Sequence, residues 1–300
     1  MTADPQVRVA VASASLLGES PMWHPGEQVL YYCDIPGHKL HRFNPASGDL
    51  VHWDFDTDVG SCAPRLDGSL LLALRDGLWR FDPASGARSK LADAPYPTEN
   101  ERFNDGKCDP QGRFWVGTIC EPREAAVASL YCFNGGKLVR RADGISVSNG
   151  LAWSPNGRTM YWSDTHAHRV YAFDFDPGSG ELNRRRVFAS FAMKQPGQSL
   201  DSYGGRPDGA AVDVEGCYWV AMFEGQRLLR LSPEGELLRE VRLPVRCATM
   251  PCFGGPDLKT LYITTAKQNR PALELIEQPF AGCVLALDVN VAGLPVNFFV

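Results

Sequence analysis

Apolar and polar residues alternate in short runs along the whole chain, as in LYYCDI from Leu30, RVYAFDF from Arg169 and LLRLSP from Leu228. This two-residue period marks strands with one buried face. Between the runs stand turn signals: NPASGDL from Asn44, DPASGAR from Asp82, DPQGRFW from Asp109, SPNGRTM from Ser154, DPGSGEL from Asp176, DVEGCYW from Asp213, SPEGELL from Ser232 and GPDLKTLY from Gly255. Proline fixes φ early in such a turn, and glycine supplies the positive φ that closes it. Aligned, the runs make six similar units opening near Val29, Leu70, Arg113, Thr159, Cys217 and Thr260. Their spacing is roughly 40–46 residues, stretched once to nearly 60, which is the length of a four-stranded propeller blade. No amphipathic helix of 12 or more residues is expected. The pattern predicts an all-β chain, a six-bladed β-propeller with a central metal site, forming one domain over residues 1–300. A β-sandwich or stacked barrels would not need six matched units. The strand VRVAVASA before Leu16 has no unit of its own and is expected to complete the last blade, with the C-terminal VNFFV beside it.

Composition narrows the partners. A net charge of −5 and a pI near 5.7 provide no basic field for nucleic acid. The N-terminus lacks the layout of a signal peptide, and no apolar run reaches the length of a membrane span. A cytoplasmic protein, without nucleic-acid or membrane partners and monomeric by default, is expected. The nine cysteines are odd in number and scattered, without a CxxC pair. They read as small buried hydrophobes in a reducing compartment.

Four polar segments interrupt the strand pattern: LGESPMWHP with Glu19, ENERFNDGKCDP with Arg102, Asn104 and Asp105, ISVSNGLAWSPNG with Asn149, and GGRPDGAAVDVEG with Asp208. Each precedes a run of small residues and then a turn, so each is placed in a loop entering an innermost strand, at the same phase of its unit. In a radial repeat, equal phase means equal height and distance from the axis, so Glu19, Asn104, Asn149 and Asp208 should converge. Two carboxylates and two amide oxygens are hard donors suited to Ca²⁺, Mg²⁺ or Mn²⁺. Taken singly, NDG and PDG are also good turn sequences, and Glu19 could be a surface carboxylate. The six histidines fall mostly in outer strands and turns, against a histidine-rich zinc site.

These segments, together with YYCDIPGHKLHRF and PCFGGPDLKTLYITTA, resemble the senescence marker protein-30/gluconolactonase/regucalcin family over nearly the whole length. The resemblance implies a six-bladed propeller and hydrolysis of a sugar-acid lactone, such as a glucono-, xylono-, arabinono- or galactonolactone, at one divalent ion. Ca²⁺ is the first expectation, with Zn²⁺, Mn²⁺, Mg²⁺ or Fe²⁺ as alternatives. It implies Glu19, Asn149 and Asp208 as metal ligands and Arg102 and Asn104 as substrate contacts, Asn104 beside the metal. Glu121 of GTICEPRE would read sugar hydroxyls, with Pro122 the match if the register slips by one. Asp208 is the candidate to steer or deprotonate the attacking water; because a carboxylate on a cation is a weak base, water activated by the ion itself is the alternative. No GxSxG elbow suggests a nucleophilic serine. Residues 192–206 exceed the family pattern and read as a loop over the channel mouth, with a plain solvent loop the alternative. A calcium-binding regulatory protein, or an arylesterase or organophosphatase on the same scaffold, are the competing functions.

Overall fold

The computed structural model describes Asp4, residues 6–121 and residues 126–300. These form six four-stranded antiparallel sheets. The innermost strands are Gly18–His24, Val59–Pro64, Glu101–Cys108, Ser148–Trp153, Arg206–Val212 and Ala248–Gly254. Each packs against its counterpart in the next sheet, and the last packs against the first. The expected six-bladed propeller is therefore present. The second strands open at Val29, Leu70, Phe114, Thr159, Tyr218 and Thr260, within one residue of where the repeat units begin. Helix is confined, among the described residues, to Ala272–Glu277 and a short 3₁₀ turn at Leu200–Ser202.

The last blade is closed by Arg8–Val11, which pairs with Val284–Asp288. Arg8 also grips Asp288 through two N–H···O contacts of 2.9 and 3.0 Å. The C-terminal VNFFV does not lie beside that strand. Phe299 bridges to Arg65, its N–H donates to the Pro64 carbonyl at 2.8 Å, and its ring stacks on Phe133. The N-terminal strand already occupies the open edge, while an apolar slot between blades 2 and 3 accepts the Phe299 ring.

Alternating residues of neighbouring sheets build six apolar layers, one at each junction between blades. Tyr31 and Cys33 of blade 1 meet Val59, Leu70 and Leu72 of blade 2; Trp115 and Leu130 of blade 3 meet Leu151 and Trp162 of blade 4. All nine cysteines are free and seven are buried, as small core residues. Two buried tryptophans are pinned by aspartates at the ends of inner strands: Trp115 donates to Asp109 at 2.8 Å and Trp219 to Asp213 at 2.9 Å.

Blades 1 and 4 share a second device at the other end of the channel. Asp34, ending a second strand, accepts from the Leu16 and Leu17 amides at 3.0 and 3.1 Å. Asp164, its counterpart, accepts from Ser146 and Val147 at 3.2 and 3.4 Å. The latch is completed by Ile35 N–H to the Leu17 carbonyl and Thr165 N–H to the Val147 carbonyl. Both carboxylates are buried. They fix the chain immediately before Glu19 and Asn149.

Two outcomes follow from this framework. Asp164→Ala leaves buried amides without an acceptor and is expected to cost roughly 1–3 kcal/mol in urea unfolding; an unchanged midpoint would discount the latch. Burial holds His41, stacked on Tyr32, down at about 4. A folded value below the unfolded one means its stability contribution is intact above pH 6.5 and lost as pH falls through about 4. His41→Phe should flatten that part of the acid dependence of Tm relative to wild type.

Candidate functional site: the mouth of the central channel

Antiparallel topology puts the starts of the inner strands on the same face as the turns after the second strands. Glu19, Asn104, Asn149 and Asp208 all lie on that face and are 3–6% exposed. They sit inside the inner strands rather than in loops before them. Each strand breaks register there, with two residues opposite one: between Glu19 and Met22, Phe103 and Gly106, Asn149 and Ala152, and Pro207 and Ala210. Their phases are not identical. Glu19 and Asn149 pair with Cys33 and Ser163 just before the bulge, whereas Asn104 and Asp208 occupy the bulge one position later. A bulge re-aims side chains at the cost of ladder pairing. Strand-period reading cannot see it, which is why the polar residues looked like loop residues.

The hydrogen bonds orient the set. Asn104 Nδ2 donates to Asn149 Oδ1 at 2.8 Å and to the Ser148 carbonyl at 2.9 Å. Asn149 Nδ2 donates to Thr165 Oγ1 at 2.8 Å, which turns its Oδ1 away from Thr165 and toward Asn104. Arg102 Nη1 donates to Asn104 Oδ1 at 2.8 Å and to the Phe103 carbonyl at 3.0 Å. Glu19 Oε2 accepts from the Ser20 amide at 3.0 Å. Burial first, then the Asp208 and Asp105 carboxylates, push the Glu19 carboxyl well above its ordinary value. Like charges gathered in a desolvated site raise one another in this way. The pairing of Glu19 with Asp208 and its two amide neighbours is an oxygen-rich set that fits a hard divalent cation.

A rim network stands over one side. Arg75 forks between Asp58, at 2.6 Å, and Glu121, at 2.8 Å. Arg102 Nε lies 3.6 Å from Glu121 and 4.0 Å from Asp58. Glu121 therefore reaches the mouth, beside Arg102; Pro122 lies outside the described residues. Residues 192–206 carry the Leu200–Ser202 turn and are docked by Tyr203, whose hydroxyl meets His168 Nε2, and by Arg246 to Asp201 at 2.7 Å. Arg75, Asp58 and Thr165 were not singled out from sequence, because RDG and SDT read as turns. Asp105 and Lys107 were visible only as neighbours of Asn104.

Two other features lie at the opposite end of the channel. A cavity of about 260 Å³ is lined by Ser20, Lys107, Cys252, Met250 and the 294–297 segment. Asp213, Glu215 and Cys217 bring ligand-type atoms within 4.8 Å of one another. Asp213 there is already committed to Trp219, to Arg230 at 2.8 Å and to the Cys217 amide at 2.9 Å, so the group serves the framework.

Comparison with known proteins gives one consistent answer. Residues 17–267 match the family model described as SMP-30/Gluconolactonase/LRE-like region. A Pseudomonas putida protein named 6-deoxy-6-sulfogluconolactonase is 42% identical, with 96% of each chain covered. Regucalcin of Danio rerio is 35% identical, with 97% of each covered. Among solved structures, a calcium-binding regucalcin from Agrobacterium tumefaciens superposes with a TM-score of 0.90 at 28% identity, covering 98% of this chain and 97% of that one. With the propeller, the four bulged strands and matches of this extent in hand, the chain belongs to the SMP-30/gluconolactonase/LRE-like family.

Proposed function

We propose that the protein hydrolyses a sugar-acid lactone to the free aldonic acid at one divalent cation held by Glu19, Asn149 and Asp208. The observation that carries this reading is the burial of the Glu19 carboxylate against Asp208 among amide oxygens, with the Arg102–Glu121 pair at the rim. Two buried carboxylates in mutual range are relieved by a proton on one of them or by a bound cation, and the amide oxygens beside them suit the cation. The names of the relatives support sugar lactones as the substrate class, and the whole described chain serves as one propeller domain.

When bound, the ion supplies Lewis-acid polarisation of the lactone carbonyl and neutralises charge that develops on its oxygen. Asn104, whose two N–H groups go to the Ser148 carbonyl and Asn149 Oδ1, keeps Oδ1 capacity beyond the Arg102 bond to accept from a substrate hydroxyl. Arg102 adds positive potential on the same side, where charge develops. Asp208 orients the attacking water and accepts one of its protons; the ring oxygen leaves and is protonated to a hydroxyl, which balances the hydrolysis. Glu121, held by Arg75, accepts hydrogen bonds from sugar hydroxyls. Calcium is the first candidate ion, and the Agrobacterium tumefaciens neighbour is described as calcium-binding. The calcium-binding description of that neighbour favours a second reading, in which this chain binds a cation without turnover. Arg102 weighs against it, because a site built for cation binding alone has no use for a guanidinium so near.

A lactone panel should include the neutral glucono-, xylono-, arabinono- and galactonolactones and a 6-sulfonated gluconolactone, with aryl esters as controls. Turnover of at least one lactone is expected, falling to background with chelator and returning with Ca²⁺ or Mn²⁺. Turnover insensitive to chelation sinks the metal reading, and binding without turnover selects the second one. Glu19→Gln should abolish both the activity and the rise in Tm that the added cation gives wild type, because only a ligand that binds the folded state stabilises it. Arg75→Met should raise KM about tenfold with a smaller change in kcat, as expected when uniform binding is lost, and Arg75→Lys should recover part of it. An unchanged KM would place the Arg75 fork outside substrate recognition.

A further inference from the structure

Two charged side chains below the candidate cation site have no part in the mechanism above. Asp105 follows Asn104 in the same bulge and is 3% exposed. Its Oδ2 accepts from the Leu151 amide at 2.9 Å, two residues beyond Asn149, while its buried Oδ1 has no hydrogen-bond partner among the described residues. Lys107, two residues further along, points into the channel. Its ammonium donates to the Ala210 carbonyl at 2.9 Å, two residues beyond Asp208, and its stem lines the lower cavity. The two charges thus stand further along the inner strands than the oxygen donors, one bonded to the Asn149 strand and the other to the Asp208 strand.

We propose that Asp105 and Lys107 are positioning residues forming an electrostatic floor that sets cation affinity with opposite signs, Asp105 strengthening it and Lys107 restraining it. The inference rests on the cation reading above. Neither group needs to touch the ion. In a desolvated channel a full charge acts over several ångströms with little screening. Asp105 follows Asn104 in the bulge and is bonded to the Asn149 strand, which sets its charge beside the oxygen donors. Its attraction for Lys107 works against the desolvation that disfavours the buried ammonium. The floor therefore carries opposite charges at its two ends, each disfavoured by burial. Its negative end lies at the donor strands and its positive end at the lower cavity, so a bound cation would meet a third carboxylate whose pull Lys107 partly cancels. Outer groups of this kind commonly change metal affinity 10–100-fold.

The test is the Kd for Ca²⁺, and separately for Mn²⁺, by titration calorimetry on the full chain and on Asp105→Asn and Lys107→Met, with thermal unfolding of each variant as a control. Asp105→Asn keeps the shape and the bond from Leu151 but removes the charge; it should weaken binding by about tenfold or more. Lys107→Met keeps the stem; it should tighten binding by about threefold or more. A purely structural role would loosen both variants. Movement in the same direction, or shifts below about twofold in both, overturns the proposal. If Asp105→Asn does not fold, Lys107→Met decides alone: tightening supports the floor, and weakening or no change ends it. Wild-type protein that binds neither ion overturns the cation reading as well, whereas wild-type binding with unopposed variants overturns this inference only.

Discussion

Six strands can converge on one axis only if their backbones almost touch, and this steric demand shapes everything at the centre of the molecule. A Cβ on Gly60 would lie 2.6 Å from the Phe103 carbonyl, so blade 2 could not approach blade 3 with any other residue there. Gly150 combines a tight fit against Tyr218 with a φ of +63°. Small residues at the axis leave space for the few polar side chains that do point inward. The bulges supply the remaining freedom, re-aiming Glu19, Asn104, Asn149 and Asp208 without breaking the sheets. The outer strands meet no such limit, and their large apolar residues fill the six layers that hold the ring together.

The inward polar groups carry a cost that the surroundings only partly offset. Buried carboxylates lose hydration and repel one another. Glu19 has one amide donor and an arginine at greater range, while Asp34 and Asp164, spent on backbone amides, hold the approaching chain rigid. The structure thus separates two kinds of buried acid. Those serving the framework have their oxygens filled by amides, indoles and guanidinium groups, as at Asp109 and Asp213. Glu19 at the mouth accepts instead from a single backbone amide, that of Ser20, and its carboxyl is pushed upward by burial.

Much of this was legible in the residues. The period of Pro-Gly turns located all six second strands by their first residue or its neighbour, because hairpin chemistry is local. That Glu19, Asn104, Asn149 and Asp208 stand on one face of the ring was legible because a radial repeat converts sequence phase, to within a residue, into position. What stayed hidden was not local. VNFFV, expected in the last blade, lies elsewhere, since only the tertiary slot beside Phe133 distinguishes one apolar strand end from another. The one-residue offset between Glu19 and Asp208 depends on bulges that leave no strand-level signature. Arg75 resembled any arginine in a turn until Asp58 and Glu121, distant in sequence, were seen on either side of it.

The donors are unevenly spread around the axis. Blades 1, 3, 4 and 5 contribute them, whereas blades 2 and 6 offer only Gly60, Ser61, Ala248 and Thr249 at their own register breaks. The vacant sectors therefore flank blade 1, and their walls differ: Arg75, Asp58 and Glu121 border one, and the Arg270 pairs with Glu224 and Glu274 border the other. A flat ring laid across such a lopsided opening finds its two edges in unlike surroundings. Handedness at each ring carbon then becomes distinguishable through the walls alone, so stereochemical choice can be altered from the rim while the centre is left as it is.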